Sequence, residues 1–338
     1  MKHQTRYKTF AFYFVFISLW IVSGWNYDNA DIENYIMDYD PAFANLGFEQ
    51  LFNPGFSLFY SICLNFNLAF KTVHIILYGL IMYLLTTIIF RRSTKPLIVV
   101  AIYVFTAYFA DIIQIKNAVA LCFLYLGLLT LINDDIHNRK LKYTVITLIA
   151  ATFHVGFIFY LVLLLYDKAL KPQFIIIGSI MLSLFGSVIF GFITDGTLIS
   201  ESSMLTSRRD QYMETSSMWS MLICSSQFLL HYYVCKRLFR AAAVFDKGTE
   251  YIHLLNINLL MAFLMIFSSV NMTFFRLFRN MLLFDSIFII NAYYVIPRQY
   301  RNKALLIFYF FVMSFFNTLY SAVFDNILII LKSNYLWN

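Results

Sequence analysis

Charge is what this chain has least of. Lys, Arg, Asp and Glu together make up 13% of its 338 residues, against roughly 25% in soluble domains. That shortage excludes a solvated globular fold, because too few charged side chains are present to coat one. Hydrophobic residues reach 61% and aromatic residues 20%, so the chain reads as an all-α, polytopic membrane protein in which every backbone polar group must be satisfied inside a helix. No solvated stretch is long enough for a separate domain, and residues 1–338 read as a single transmembrane domain. The four cysteines, Cys63, Cys122, Cys224 and Cys235, lack C-x-x-C spacing, which argues against a zinc site and a disulfide framework. No histidines cluster, so no metal or other cofactor is expected. The net charge of +7 comes from short basic clusters between apolar segments, a pattern of membrane topology and not of nucleic-acid binding. Lys2, Arg6 and Lys8 precede an apolar stretch to Trp25 that has no small-residue cleavage site, so it reads as an uncleaved first span.

The basic clusters are Lys2/Arg6/Lys8, Arg91/Arg92/Lys95, Arg139/Lys140/Lys142, Lys236/Arg237/Arg240/Lys247 and Arg298/Arg301/Lys303. The positive-inside rule assigns all five to the cytoplasm. Two apolar segments then cannot be simple crossings. Pro54 to Phe70 becomes a re-entrant or interfacial helix on the outer side, and Tyr143 to Tyr166 breaks near Phe153-His154. The result is about 10–11 transmembrane helices with a cytoplasmic N-terminus. The outward elements are the acidic loop 26–53, the turn Asp111 to Asn117, His154, the loop 194–215, and Asn271 to Asn280.

The run from Pro96 to Ile132 carries only two charges, Asp111 and Lys116, and a charge at membrane depth marks either a turn or a site. Gln114, Lys116 and Asn117 offer donors to a phosphate-bearing ligand. The alternative is a lysine that snorkels to the interface, with Asp111 as its structural partner. The first outer loop holds Asp28, Asp31, Glu33, Asp38, Asp40 and Glu49 with no Lys or Arg. Its interleaved tyrosines suit a hydroxyl-rich ring, although acidic residues also simply follow the orientation rule for outer loops. Within it Ile32, Tyr35, Ile36 and Tyr39 fall on one helical face, with Asp31 and Asp38 near that face. Arg276 and Arg279 stand three apart, where they share a helical face and can grip one polyanion or pair with carboxylates of the loops. His154 is a candidate general base or a packed, hydrogen-bonded ring. His74 and His231 read as bundle-packing residues.

Five of these pieces in this order resemble the EpsG/Wzy family of bacterial polysaccharide polymerases. They are Tyr27-Asp28-Asn29-Ala30-Asp31 through Asn34-Tyr35, then Asn53-Pro54-Gly55-Phe56, Gln114-Ile-Lys116-Asn-Ala-Val-Ala120, Phe153-His154 and Phe275-Arg276-Leu-Phe-Arg279. Lys116 stands where that family carries arginine, and no Gly-Thr precedes Asp28. The resemblance implies a GT-C-like membrane glycosyltransferase of the bacterial cytoplasmic membrane with its active site on the outer, periplasmic face. It would join undecaprenyl-pyrophosphate-linked oligosaccharide repeats by glycosyl transfer without a metal, beside a flippase and a chain-length regulator. In that role Lys116, Arg276 and Arg279 bind the pyrophosphate and stabilise its developing charge, Gln114 and Asn117 add donors beside Lys116, Tyr35 helps bind the substrate, and His154, Asp28 or Asp31 activates the acceptor hydroxyl. A lipid-linked sugar flippase and a membrane acyltransferase are the rival readings.

Overall fold

The computed structural model describes residues 2–40, 53–168, 171–173, 175, 179, 218–246, 249–265, 272–319 and 323–337. The secondary structure among them is helical, with one isolated backbone bridge, Asn26 to Asn334. They form two compact units: residues 1–158, 282–294 and 313–338, and residues 159–281 and 295–312.

In the first unit α1 (Lys2–Gly24) packs antiparallel on α4 (Phe70–Arg92). Near one end the Phe12 and Phe90 rings meet at 5.6 Å, and near the other the Trp20 indole N–H donates to the Ile75 carbonyl at 2.8 Å. Glycine makes this approach possible. A Cβ on Gly24 or on Gly79 would lie 3.0 Å from the Trp20 ring. The pairing brings the Lys8 end of α1 to the Arg91 end of α4, so two of the basic clusters share one end of the unit. Between α1 and α4 the described residues form two short helices, α2 (Ile32–Tyr39) and α3 (Pro54–Asn65). At 12 residues α3 is too short to cross a hydrocarbon layer. The chain after it turns through Asn67, whose φ of 52° is the left-handed conformation that asparagine tolerates.

Pro96 fixes the start of α5 (Pro96–Ile113), and the pitch loosens to a π stretch over Val104–Tyr108. Gln114, with φ −107° and ψ 68°, breaks the helix before α6 (Ile115–Ile132) begins. The long apolar run is therefore two spans meeting at the polar island. Against α6 lies α7 (Arg139–Phe153), again through a glycine: a Gly127 Cβ would be 3.2 Å from the Tyr143 ring. α7 stops at His154, and Val155–Leu165 continues as a 3₁₀ helix.

The second unit includes α8 (Met218–Asp246), α9 (Glu250–Met265) and the four-residue α10 (Arg276–Arg279). α11 (Leu282–Val295) returns to the first unit, where the Asn291 amide bonds Thr94 N–H and the Arg92 carbonyl at 2.8 and 2.6 Å. α12 (Lys303–Ser314) and α13 (Val323–Lys332) complete the described helices. From α13 the chain runs into Ser333–Trp337, which docks on the segment after α1. Tyr27 N–H donates to the Ser333 carbonyl and Tyr335 N–H to the Trp25 carbonyl, both at 3.0 Å.

Among the described residues four helices are long and apolar enough to cross a membrane, or five if a bent pair counts as one span. The chain is thus a multi-pass helical membrane protein. The expected count of 10–11 came from the apolar segments and the charge rule, and it included segments outside the described residues, where the loop 194–215 also lies. The break expected near Phe153-His154 is present, at His154. All four cysteines are buried free thiols.

Candidate functional site

The site begins with Lys116, one residue into α6 and half-buried at 13% exposure. The break at Gln114 sets this side chain at the end of the span, where it meets the loop helix α2. Its ammonium donates to Asp38 Oδ2 at 2.8 Å. It also lies 5.6 Å from the Tyr35 ring centre and 5.4 Å from that of Phe56, within cation–π range. Two aromatic faces and a carboxylate thus hold one cation in a partly desolvated setting, where a phosphate oxygen would gain more than it does in water. Asp111 was the partner expected for Lys116. The structure corrects this: Asp111 is buried within α5 and accepts the Tyr103 hydroxyl at 2.9 Å, while the carboxylate on Lys116 comes from 78 positions away.

α2 presents Ile32, Tyr35 and Tyr39 inward and leaves Ile36 exposed. Tyr39 fastens the helix to the chain before α4, its hydroxyl donating to the Leu68 carbonyl at 2.6 Å and its ring meeting Tyr60 edge-on at 5.0 Å. Tyr60 in turn stacks obliquely on Phe56 at 4.5 Å. Burial, with smaller contributions from Tyr35 and Asp38, pushes the Tyr60 phenol well above its ordinary pKa.

The start of α3 docks on the end of α7. Gly55 packs so closely on Thr152 that a Cβ would lie 2.3 Å from Thr152 Oγ1, and Asn53 Oδ1 accepts the Val155 N–H at 3.4 Å. Phe153 stacks on Phe123 of α6 at 5.3 Å. The loop helix, the Asn53-Pro54-Gly55-Phe56 stretch, Lys116 and Phe153-His154 are therefore linked by direct contacts at one end of one unit. His154 is half-buried, and its Nδ1 accepts the Gly156 N–H at 3.2 Å. A neutral imidazole that accepts at Nδ1 carries its proton at Nε2. In this arrangement His154 offers a donor rather than the lone pair that a general base needs.

The remaining predicted residues are placed less centrally. Asp28 is exposed, its carbonyl taking the Asn26 amide at 2.9 Å. Asp31 immediately precedes α2, and its backbone N–H donates to Asn29 Oδ1 at 3.0 Å. Gln114 supplies the break itself, and Asn117 is buried in the first turn of α6. Asp38 takes the position at Lys116 expected of a different carboxylate. Its spacing of three from Tyr35 and one from Tyr39 was the available signal.

Arg276 and Arg279 belong to the second unit, where α10 carries both. Leu277 and Phe278 between them are buried, while the two arginines are half-buried. The Tyr160 hydroxyl donates to the Leu277 carbonyl at 2.6 Å, holding the short helix to the 3₁₀ segment. Among the described residues no three His, Cys, Asp or Glu side chains gather as a metal-holding group.

A multi-pass helical bundle in which a loop-helix carboxylate and aromatic rings grip a cation at a span terminus is the class defined so far. Its membership is narrower: the model of the EpsG family matches residues 9–332, and the chain belongs to that family, which is one of Wzy-like polysaccharide polymerases. No curated protein and no solved structure matches the chain.

Proposed function

We propose that this protein joins lipid-pyrophosphate-linked oligosaccharide repeats, of the undecaprenyl type, at the outer face of the bacterial cytoplasmic membrane. The observation that carries the reading is the Asp38–Lys116 pair between the Tyr35 and Phe56 rings, tied through Asn53 and Gly55 to the His154 turn. It gives one small region a cation for phosphate, a carboxylate for a proton and aromatic faces for a sugar ring. Phosphate oxygens compete with Asp38 for Lys116, so substrate arrival frees the carboxylate. The acceptor hydroxyl oxygen then attacks the anomeric carbon of the lipid-linked chain, and its proton passes to Asp38. The bond from that carbon to the pyrophosphate breaks, and the lipid pyrophosphate leaves with the electron pair. Lys116 stabilises the developing charge, and His154 Nε2–H donates to a substrate oxygen. Gln114 and Asn117 shape the turn that presents Lys116. Asp28 and Asp31 line the approach of the acceptor, and Arg276 and Arg279 bind pyrophosphate on their own helix. The chemistry as written uses no metal.

In this reading the bundle is GT-C-like, and α3 lies at the interface without crossing. Asn53 before it meets Val155, and Leu68 after it meets Tyr39. The five basic clusters face the cytoplasm, which puts the acidic loop outside. A flippase and a chain-length regulator are the partners that such a reaction needs.

The test is a deletion strain complemented with wild type, Lys116→Ala, Asp38→Asn, His154→Ala or Arg276→Ala, with the surface glycan resolved as a gel ladder. Wild type restores the ladder and the variants shorten or abolish it. A deletion strain that still makes long chains would overturn the polymerase reading. A flippase would instead lose all surface glycan, and an acyltransferase would leave chain length unchanged.

A further inference from the structure

His231 lies in the middle of α8, fully buried, and none of the chemistry above uses it. Its ring joins three helices. Nδ1 lies 2.6 Å from the Tyr309 hydroxyl of α12, and Nε2 lies 2.7 Å from Asn258 Oδ1 of α9. The direction of each bond follows from the last one. Asn258 Nδ2 donates to the Leu254 carbonyl at 3.0 Å, so its oxygen faces the imidazole as acceptor and Nε2 must carry the proton. In the neutral ring Nδ1 then accepts from Tyr309. Cys235 Sγ, 3.5 Å from Nε2, is a weak second acceptor one helical turn away. Tyr309 and Asn258 are both buried. Polar side chains at such depth are costly unless each is satisfied, and this chain joins them in one hydrogen-bonded network.

The network also has an output. The His231 ring meets Phe278 edge-on at 5.1 Å, and Phe228 of α8 meets the same ring at 5.9 Å. Phe278 is the buried anchor of α10, the helix that carries Arg276 and Arg279. A helix of four residues has no length of its own to resist rotation, so its orientation depends on what holds its inward face. That face is held by the His231 and Phe228 rings on Phe278 and by the Tyr160 hydroxyl on the Leu277 carbonyl.

We infer that His231, oriented by Tyr309 and Asn258, is a positioning residue that sets the register of the Arg276/Arg279 helix for a pyrophosphate group. This rests on the reading of the arginines as pyrophosphate ligands. A hydrogen bond of this kind changes an equilibrium by about tenfold, and that change is passed to the arginines and not to the chemistry itself.

The test measures inorganic pyrophosphate binding to the purified full-length protein by calorimetry, for wild type, Tyr309→Phe, His231→Phe, Arg276→Ala and each double variant with Arg276→Ala. Tyr309→Phe removes one hydrogen bond and keeps the ring, and His231→Phe keeps the contact with Phe278. The expected result is a loss of about tenfold in affinity for each network variant, with each double variant losing less than the product of its two single losses, because both changes act through one helix. Thermal unfolding of the same samples reports any general loss of fold. Network variants that bind as wild type does, or losses that multiply in the doubles, would overturn the inference. So would an Arg276→Ala protein that binds normally. The polymerase reading fails separately, by the ladder of the deletion strain.

Discussion

Lys116 shows how much one side chain depends on its surroundings. In water its charge would be a weak partner for phosphate, but at 13% exposure between Tyr35 and Phe56 it sits where solvent screens it little. Lysine lacks the fork of arginine, so it fits a phosphate oxygen as a point charge. Lys116→Ala should therefore lower the polymerisation rate by about 10²–10³-fold, while Lys116→Arg should keep most of it. A rate assay with lipid-linked substrate checks this, and equal loss in both variants would show that shape matters at this position and charge does not. Tyr60 allows a test by pH. Its folded-state pKa is raised well above the ordinary 10.0, first by burial, so the fold favours the neutral phenol. The unfolded chain ionises first, and the stability from this residue is complete below pH 10 and is lost as pH rises beyond it. Tyr60→Phe should flatten the alkaline loss in a melting-temperature series. An unchanged slope would remove Tyr60 from the account.

Two breaks make the site: Gln114 between α5 and α6, and His154 after α7. Both were legible in the sequence because a polar residue interrupts an apolar run, and the one-faced α2 was legible from its spacing. The Asp38–Lys116 pair was not, since nothing local in the chain tells a lysine which of six loop carboxylates will reach it. Nor was the 3₁₀ winding of Val155–Leu165, because an apolar run specifies burial and not pitch. The Asn53-Pro54-Gly55-Phe56 stretch could be matched to a family but not explained until its contact with Thr152 was seen. Thr152 cannot easily turn away, as its hydroxyl is already bonded to the Ile149 carbonyl at 2.7 Å. Gly55→Ala should therefore push α3 off α7 and cost about 1–3 kcal/mol, with a loss of activity from the separated site. Thr152→Ala in the same chain should recover part of both, because it removes the atom nearest the new methyl group. Melting temperature and ladder length read the two effects, and a double variant no better than Gly55→Ala would place the cause elsewhere.

For the whole molecule the question is sidedness. In the first unit α1 runs from the Lys8 end to Gly24, and α4 runs back from Phe70 to Arg92. The loop helix, Lys116 and the His154 turn are joined at the Gly24 end. Ser333–Trp337 lies there too, fixed by the Asn26–Asn334 bridge and by Lys71 over the Tyr335 ring at 3.5 Å. The C-terminal segment and the proposed site must therefore face the same compartment, whichever it is, and the basic turn at Arg92 must face the other. The charge rule names them as outside and inside. Because all four native cysteines are buried, an introduced thiol can be read against a low background. A membrane-impermeant maleimide should label Tyr335→Cys in intact spheroplasts, and should label Arg92→Cys only after the membrane is permeabilised. Labelling of both before permeabilisation would break the link between geometry and topology. The reverse pattern would keep that link and turn the protein over, placing the site in the cytoplasm and removing the outer-face polymerase from consideration.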